Sequence, residues 1–204
     1  MNVHSAEIAT DIPEKKQAII EATLALTSSH GLAAVSTALI SKEAGVGMGT
    51  LYRYFDSKEE LLHSIFIQMR EQMLQIIFQG IGSPELKVYQ RFQSIIITLT
   101  KYYVENRLQF QFLQKYSDSS YMKDSYLDES AIILDPIATI LASGDDGTKF
   151  KNLPVHMIFG MIYGPVLSII QLAHQKKIEL DEEKLTILTK ALWDSITEPD
   201  ETIK

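Results

Sequence analysis

Apolar residues recur along this chain at intervals of three and four, and no stretch alternates with period two, so the pattern predicts an all-α protein. Pro13 is expected as the first residue of a helix with Ile19, Ala22, Thr23 and Leu26 on one face; Gly31 ends it, and Leu32 folds back onto Leu26. Thr37, Ile40, Ser41 and Ala44 give a second, short helix a small inner face. Gly45 closes that helix in a left-handed backbone without Cβ strain, and Val46 turns back toward the core. A third segment, Met48 to Phe55, points Leu51 and Phe55 inward and leaves Met48, Tyr52 and Arg53 outside. Ser57 and Glu60 form the S-x-x-E capping box of a long fourth helix, which displays Leu61, Leu62, Ile65, Phe66, Met69 and Met73 on its way to the break GIGSPE.

Ser83 and Pro84 are expected to open another long helix, apolar from Val88 to Val104, that runs on into the aromatic segment NRLQFQFLQKY. A polar stretch then separates it from an amphipathic helix ending near Ala142, and SGDDGTK reads as a loop. From Asn152 to Gln175 there are 24 residues without Asp, Glu, Lys or Arg. Length alone would let this run span a membrane, but it holds His156, Gln171, His174, Gln175 and two prolines, and its flanks are not strongly basic. A helix apolar all round also results when one face packs on its own domain and another on a partner subunit. Gly160 and Gly164, four apart, would let a neighbouring helix approach, and Pro165 is expected to bend this one. A last helix, roughly residues 181 to 197, begins with acidic residues suited to the positive end of its dipole and carries Leu185, Leu188, Leu192 and Ile196 on one face.

The 204 residues contain no cysteine, which excludes disulfides and thiolate metal sites, and the start lacks the basic and apolar runs of a signal peptide. Net charge is −7. Between Glu14 and Lys58, however, Lys15, Lys16, Lys42, Arg53 and Lys58 outnumber Glu14, Glu21, Glu43 and Asp56 by one, so the acidity lies elsewhere. That weak basic excess sets a modest ceiling on sequence-independent affinity for a polyanion.

Two short helices across a glycine turn, followed by a capped third, are the layout of a helix-turn-helix whose second member enters a DNA major groove, although glycine-ended helix pairs also occur in ordinary bundles. The residues themselves add a resemblance. The strings EAGV at 43–46, GTLYRYF at 49–55 and SKEELL at 57–62 resemble the DNA-binding signature of the TetR/AcrR family of bacterial transcription regulators. This implies a flexible tail at 1–12, a helix-turn-helix head at 13–58 and a helical ligand-binding and dimerisation body at 59–204.

Carried over position by position, the resemblance places Ser36, Thr37, Thr50, Tyr54 and Lys58 on backbone phosphate, where hydroxyls and an ammonium fix register without reading sequence. Ala38, Met48 and Tyr52 fall on base edges, with Gly47 and Gly49 allowing close approach. Ala38 and Met48 stand where some members have arginine and glutamine. Neither can make a bidentate bond to a base, so thymine methyls, DNA shape and a guanine contact from Arg53 should carry specificity. The resemblance further implies a cytoplasmic homodimer, seamed by Phe159, Gly160, Gly164, Leu167, Leu188 and Leu192, on a near-palindromic double-stranded operator. A small effector, apolar or aromatic, would bind the body and release the DNA. Phe66, Met69, Tyr102, Tyr103, Phe110, Gln111, Phe112, Tyr116, Met157, Met161 and Tyr163 are the candidate lining residues, although aromatic and methionine side chains at helical spacing are first of all what cores contain.

Nothing points to an enzyme or a cofactor. There is no glycine-rich phosphate loop or G-x-S-x-G elbow, and no two of the five histidines stand three or four apart as a helical metal pair would.

Overall fold

A left-handed turn at Gly45 (φ +64°) folds the second helix back against the third, and the first helix packs on both. The computed structural model describes residues 13–81, 86–122 and 147–199. The expected tail at 1–12, the Ser83–Pro84 helix start, the helix ending near Ala142 and most of SGDDGTK lie outside these. The described helices are α1 (Glu14–His30), α2 (Thr37–Glu43), α3 (Met48–Tyr54), α4 (Lys58–Ile81), α5 (Val88–Glu105), α6 (Arg107–Ser117), α7 (Val155–His174) and α8 (Glu182–Ile196). Among the described residues the only extended pairing is an isolated antiparallel bridge, Phe150 to Thr197, so the chain is all-α as the periodicity predicts.

Helices α1 to α3 bury Ile19, Ile20, Leu26, Leu32, Val35, Ile40, Leu51 and Phe55 in one cluster with Leu61 and Leu62 of α4. Each such side chain contributes about 1.5–3 kcal/mol by leaving water. The buried hydroxyls of Thr23 and Thr27 donate back to Ile19 O and Thr23 O, both at 2.7 Å, so α1 can carry them inward. The Ser41 hydroxyl in α2 is also buried but meets no partner among the described residues. Ser41→Ala should therefore raise the melting temperature by about 2–4 °C in a thermal unfolding experiment, since a buried unsatisfied hydroxyl costs about 1 kcal/mol or more.

Several boundaries differ from the sequence reading. Pro13 is the N-cap of α1 (ψ 135°) rather than its first residue; its carbonyl accepts from Lys16 N at 2.8 Å. Ser57 caps α4, accepting from Glu60 N at 3.1 Å, but the Glu60 carboxylate reaches back to Asp56 N, one residue earlier than a capping box requires. Helix α5 begins at Val88 behind the N-cap Lys87. The expected continuous helix through Val104 and the aromatic segment is instead two, broken at Asn106 (φ −101°, ψ 60°), whose side-chain amide donates to Tyr102 O at 2.8 Å and so caps the end of α5.

In the body, α4 lies along α5, which also meets α7 and α8, while α6 packs on α1, α4 and α5. Lys115 of α6 donates to Thr27 O (2.9 Å) and Ser28 O (2.7 Å), covering the negative end of α1 with an ammonium, and the Ser28 hydroxyl donates to Gln111 Oε1. Helix α7 buries a row four residues apart, Ile158, Ile162, Val166 and Ile170. Its opposite face, with Met157, Gly160, Gly164 and Ser168, is exposed and bears no charge. By length and composition this helix could cross a membrane, and only 17% of its apolar window is buried within the chain.

Candidate nucleic-acid interface

The outward face of α3 follows from what its inward face does. Leu51 (0% exposed) and Phe55 (2%), four residues apart, anchor the helix in the head core. Met48, Gly49, Tyr52 and Arg53 are left exposed, and Thr50 and Tyr54 are half-buried at the sides. An added Cβ at Gly47 or Gly49 would meet nothing of the chain within 4 Å, so the fold itself does not require glycine there.

Ser36 caps α2, its Oγ accepting from Leu39 N at 3.2 Å, which leaves the Ser36 proton available to an outside acceptor. Thr37, at the first position of α2, has its Oγ1 3.2 Å from the Tyr52 hydroxyl. Ala38 is exposed beside them. Ser36, Thr37 and Tyr52 line an open groove of about 450 Å³ together with the loop at 33–35, Asp56, Ser57, Lys58 and Glu59. Its one ammonium faces two carboxylates, so hydroxyl and backbone donors must do much of any phosphate binding here.

Lys58 donates to Ala33 O at 3.4 Å and stands 5.3 Å from the Tyr121 ring centre. Arg53 lies over the Tyr54 ring (5.1 Å) and donates to its hydroxyl at 3.3 Å, which stiffens both along one ridge. Lys16 sits 5.6 Å above the Phe55 ring; Lys15 is exposed. Of the eleven candidate interface residues, Ser36, Thr37, Tyr52 and Lys58 thus meet in one groove, and Ala38, Gly47, Met48, Gly49 and Arg53 are exposed on or beside α2 and α3. The Tyr121 contact had no counterpart in the sequence reading, because nothing local in SDSSYMKDS marks that tyrosine as meeting a lysine 63 positions earlier.

The candidate pocket residues divide. Phe66, Phe112 and Tyr116 stack, with ring centres 5.0 Å (Phe66–Tyr116) and 5.7 Å (Phe112–Tyr116) apart. Tyr102, Tyr103 and Phe110 form a second chain of rings that ends on His174. Burial pushes the Tyr103 phenol far above its ordinary range, with neighbouring Tyr163 and Tyr102 adding to the shift, and raises Tyr163 as well, helped by Asp118. Burial also raises Tyr102, against a hydrogen bond donated to Gln109 at 2.6 Å. These phenols stay neutral at any physiological pH. Met69 is buried and Met161 half-buried. Two candidates are placed elsewhere: Met157 is 53% exposed on the outer face of α7, and Gln111 turns to α1 to accept from Ser28.

Of the residues expected at a subunit seam, Gly160 and Gly164 face solvent, Phe159, Leu167 and Leu188 are half-buried, and Leu192 is buried in its own chain's core. Helical phase explains the last: Leu192 continues the Leu185 and Ile196 side of α8, whereas Ile187 (61% exposed) and Ala191 point outward.

Residues 19–65 match the family described as bacterial regulatory proteins, tetR family, and residues 64–198 match the tetracyclin repressor-like C-terminal domain. The chain belongs to the TetR family. A crystal structure of a TetR family transcription regulator from Marinobacter aquaeolei VT8 superposes with a TM-score of 0.82 at 21% identity, over 91% of this chain and 97% of that one, so the described parts of head and body share the TetR fold. The HTH-type transcriptional repressor KstR of Rhodococcus jostii is 38% identical over 88 residues, 43% of this chain and 40% of that protein. The chain therefore spans less than half of that relative's length. An HTH-type transcriptional regulator of Staphylococcus aureus is 28% identical over 144 residues, 70% of this chain and 76% of its own length.

Proposed function

We propose that this TetR-family protein is a cytoplasmic, homodimeric transcription regulator, with a head at 13–58 that binds a near-palindromic operator and a body at 59–204 that binds an apolar or aromatic effector and releases the DNA. It acts as a repressor and not as an enzyme. The observation that carries the reading is the outer face of α3, where Met48, Tyr52 and Arg53 are held clear of a core that fixes Leu51 and Phe55. Ser36, Thr37, Thr50, Tyr54 and Lys58 flank that face with donors suited to phosphate, and Ala38 and Met48 offer methyl contacts to thymine.

One short helix binds too weakly alone, so two heads are set about 34–36 Å apart, or a multiple, on one face of the duplex. The charge-free outer face of α7, with Gly160 and Gly164, and the outer face of α8, with Ile187 and Ala191, form with their counterparts a four-helix bundle. The neutral phenols of buried Tyr103 and half-buried Tyr163 and the Tyr102–Gln109 pair suit a largely apolar ligand with one or two hydrogen-bonding groups. A coupling of about 1–3 kcal/mol changes DNA affinity about 5- to 150-fold.

A genomic binding selection at controlled salt tests the head. Lys58→Ala should weaken binding to every sequence and reduce the salt slope by about one unit, whereas Tyr52→Ala should relax preference at particular base pairs. Equal binding of all three proteins to random DNA would sink the assignment. The low burial of α7 favours a second reading, membrane association. Fractionation separates the two: a soluble dimer supports the seam, and dependence on detergent supports the span.

A further inference from the structure

Tyr52 is the largest side chain that α3 offers to solvent, 46% exposed. A tyrosine so placed is free to change rotamer, and a mobile ring discriminates poorly between bases. Its phenol oxygen, however, lies 3.2 Å from Oγ1 of Thr37, across the turn on α2. Thr37 is not needed as a helix cap, because Ser36 already supplies the oxygen that accepts from Leu39 N. Both hydroxyls open on the groove that also holds Lys58.

A pair of hydroxyls has two protons and one mutual bond, so one proton is left over. With an anionic oxygen in the groove, one hydroxyl donates to the other and the remaining proton goes to the anion, and in either order each bond polarises the next. A phosphate so bound and a ring so held are parts of one chain. Tyr54, by comparison, is braced by Arg53 from its own helix and has no such link to α2.

We infer that Thr37 is a positioning residue that fixes the Tyr52 ring against one base step, and so determines sequence preference instead of serving only as a phosphate contact. This rests on α3 being the DNA-reading helix. The test is a selection from random operators, at two salt concentrations, for the wild-type dimer, Thr37→Val, Thr37→Ser, Tyr52→Phe and the Thr37→Val, Tyr52→Phe double variant. Thr37→Val should flatten preference at one position per half-site by about 3- to 10-fold, the worth of one hydrogen bond. Tyr52→Phe should flatten the same position, Thr37→Ser should keep it, and the double variant should be no worse than either single one. The salt slope should not move, because no charge is removed.

A Thr37→Val variant that weakens binding equally on all sequences overturns the inference, as do losses that multiply in the double variant. If Thr37→Val also lowers the melting temperature, Tyr52→Phe, which alters only an exposed hydroxyl, together with Thr37→Ser decides the matter. A wild-type protein that selects no sequence at all defeats the parent reading of α3, a result distinct from normal selection that Thr37→Val leaves unchanged.

Discussion

Gly160→Arg yields a folded monomer whose operator affinity falls about 100- to 10,000-fold, the loss expected when two linked heads no longer engage together. Gly160 faces solvent on α7 and an added Cβ meets nothing within 4 Å, so the chain's own fold has room for the change. Replacing a mid-helix glycine also favours the helix by about 0.5–1 kcal/mol. The cost falls entirely on whatever packs against that face, where an arginine would bury an unmatched charge. Sedimentation measures the oligomeric state and a binding titration the affinity. Ile187→Glu, 61% exposed on α8, should do the same independently. A dimer that survives both substitutions removes α7 and α8 from the subunit contact.

The second large effect is expected at Lys115. Lys115→Met keeps most of the side chain's volume but removes the ammonium that covers Thr27 O and Ser28 O at the end of α1. Two charge-assisted bonds at the negative end of a helix are lost together, a destabilisation of about 2–3 kcal/mol. The melting temperature should drop by about 4–12 °C. Gln111, which accepts from Ser28, ties the same two helices, so Gln111→Leu should add less than its separate effect when combined with Lys115→Met. A melting temperature within a degree of wild type would show that the α1–α6 junction is held by its apolar contacts alone.

Local chemistry explains which features could be read from the sequence. Gly45, the buried Leu51 and Phe55 and the Ser57 cap each announce themselves within a turn or two of chain, through backbone tolerance, helical phase or a hydroxyl in reach of a free amide. The break at Asn106 is also local but is masked, because apolar residues continue at helical spacing on both sides and only the capping amide stops α5. Contacts distant in sequence carry no such mark. Lys115 on the α1 carbonyls, Tyr121 beside Lys58 and Thr37 against Tyr52 depend on how helices cross, and a polar residue's partner cannot be read from its neighbours. The inward turn of Leu192 shows the same limit within one helix: an apolar stripe identifies a face that needs cover without saying which protomer covers it.

Leu61, Leu62 and Ile65, from the opening turns of α4, are buried in the same cluster as Ile40, Leu51 and Phe55. Severing the chain after Lys58 therefore leaves α1 beneath the recognition pair but strips these three aliphatic groups from the cluster that α1, α2 and α3 share. Grafting this protein's operator specificity onto another scaffold would have to carry α1 along, and with it those three residues or equally shaped aliphatic groups in their place.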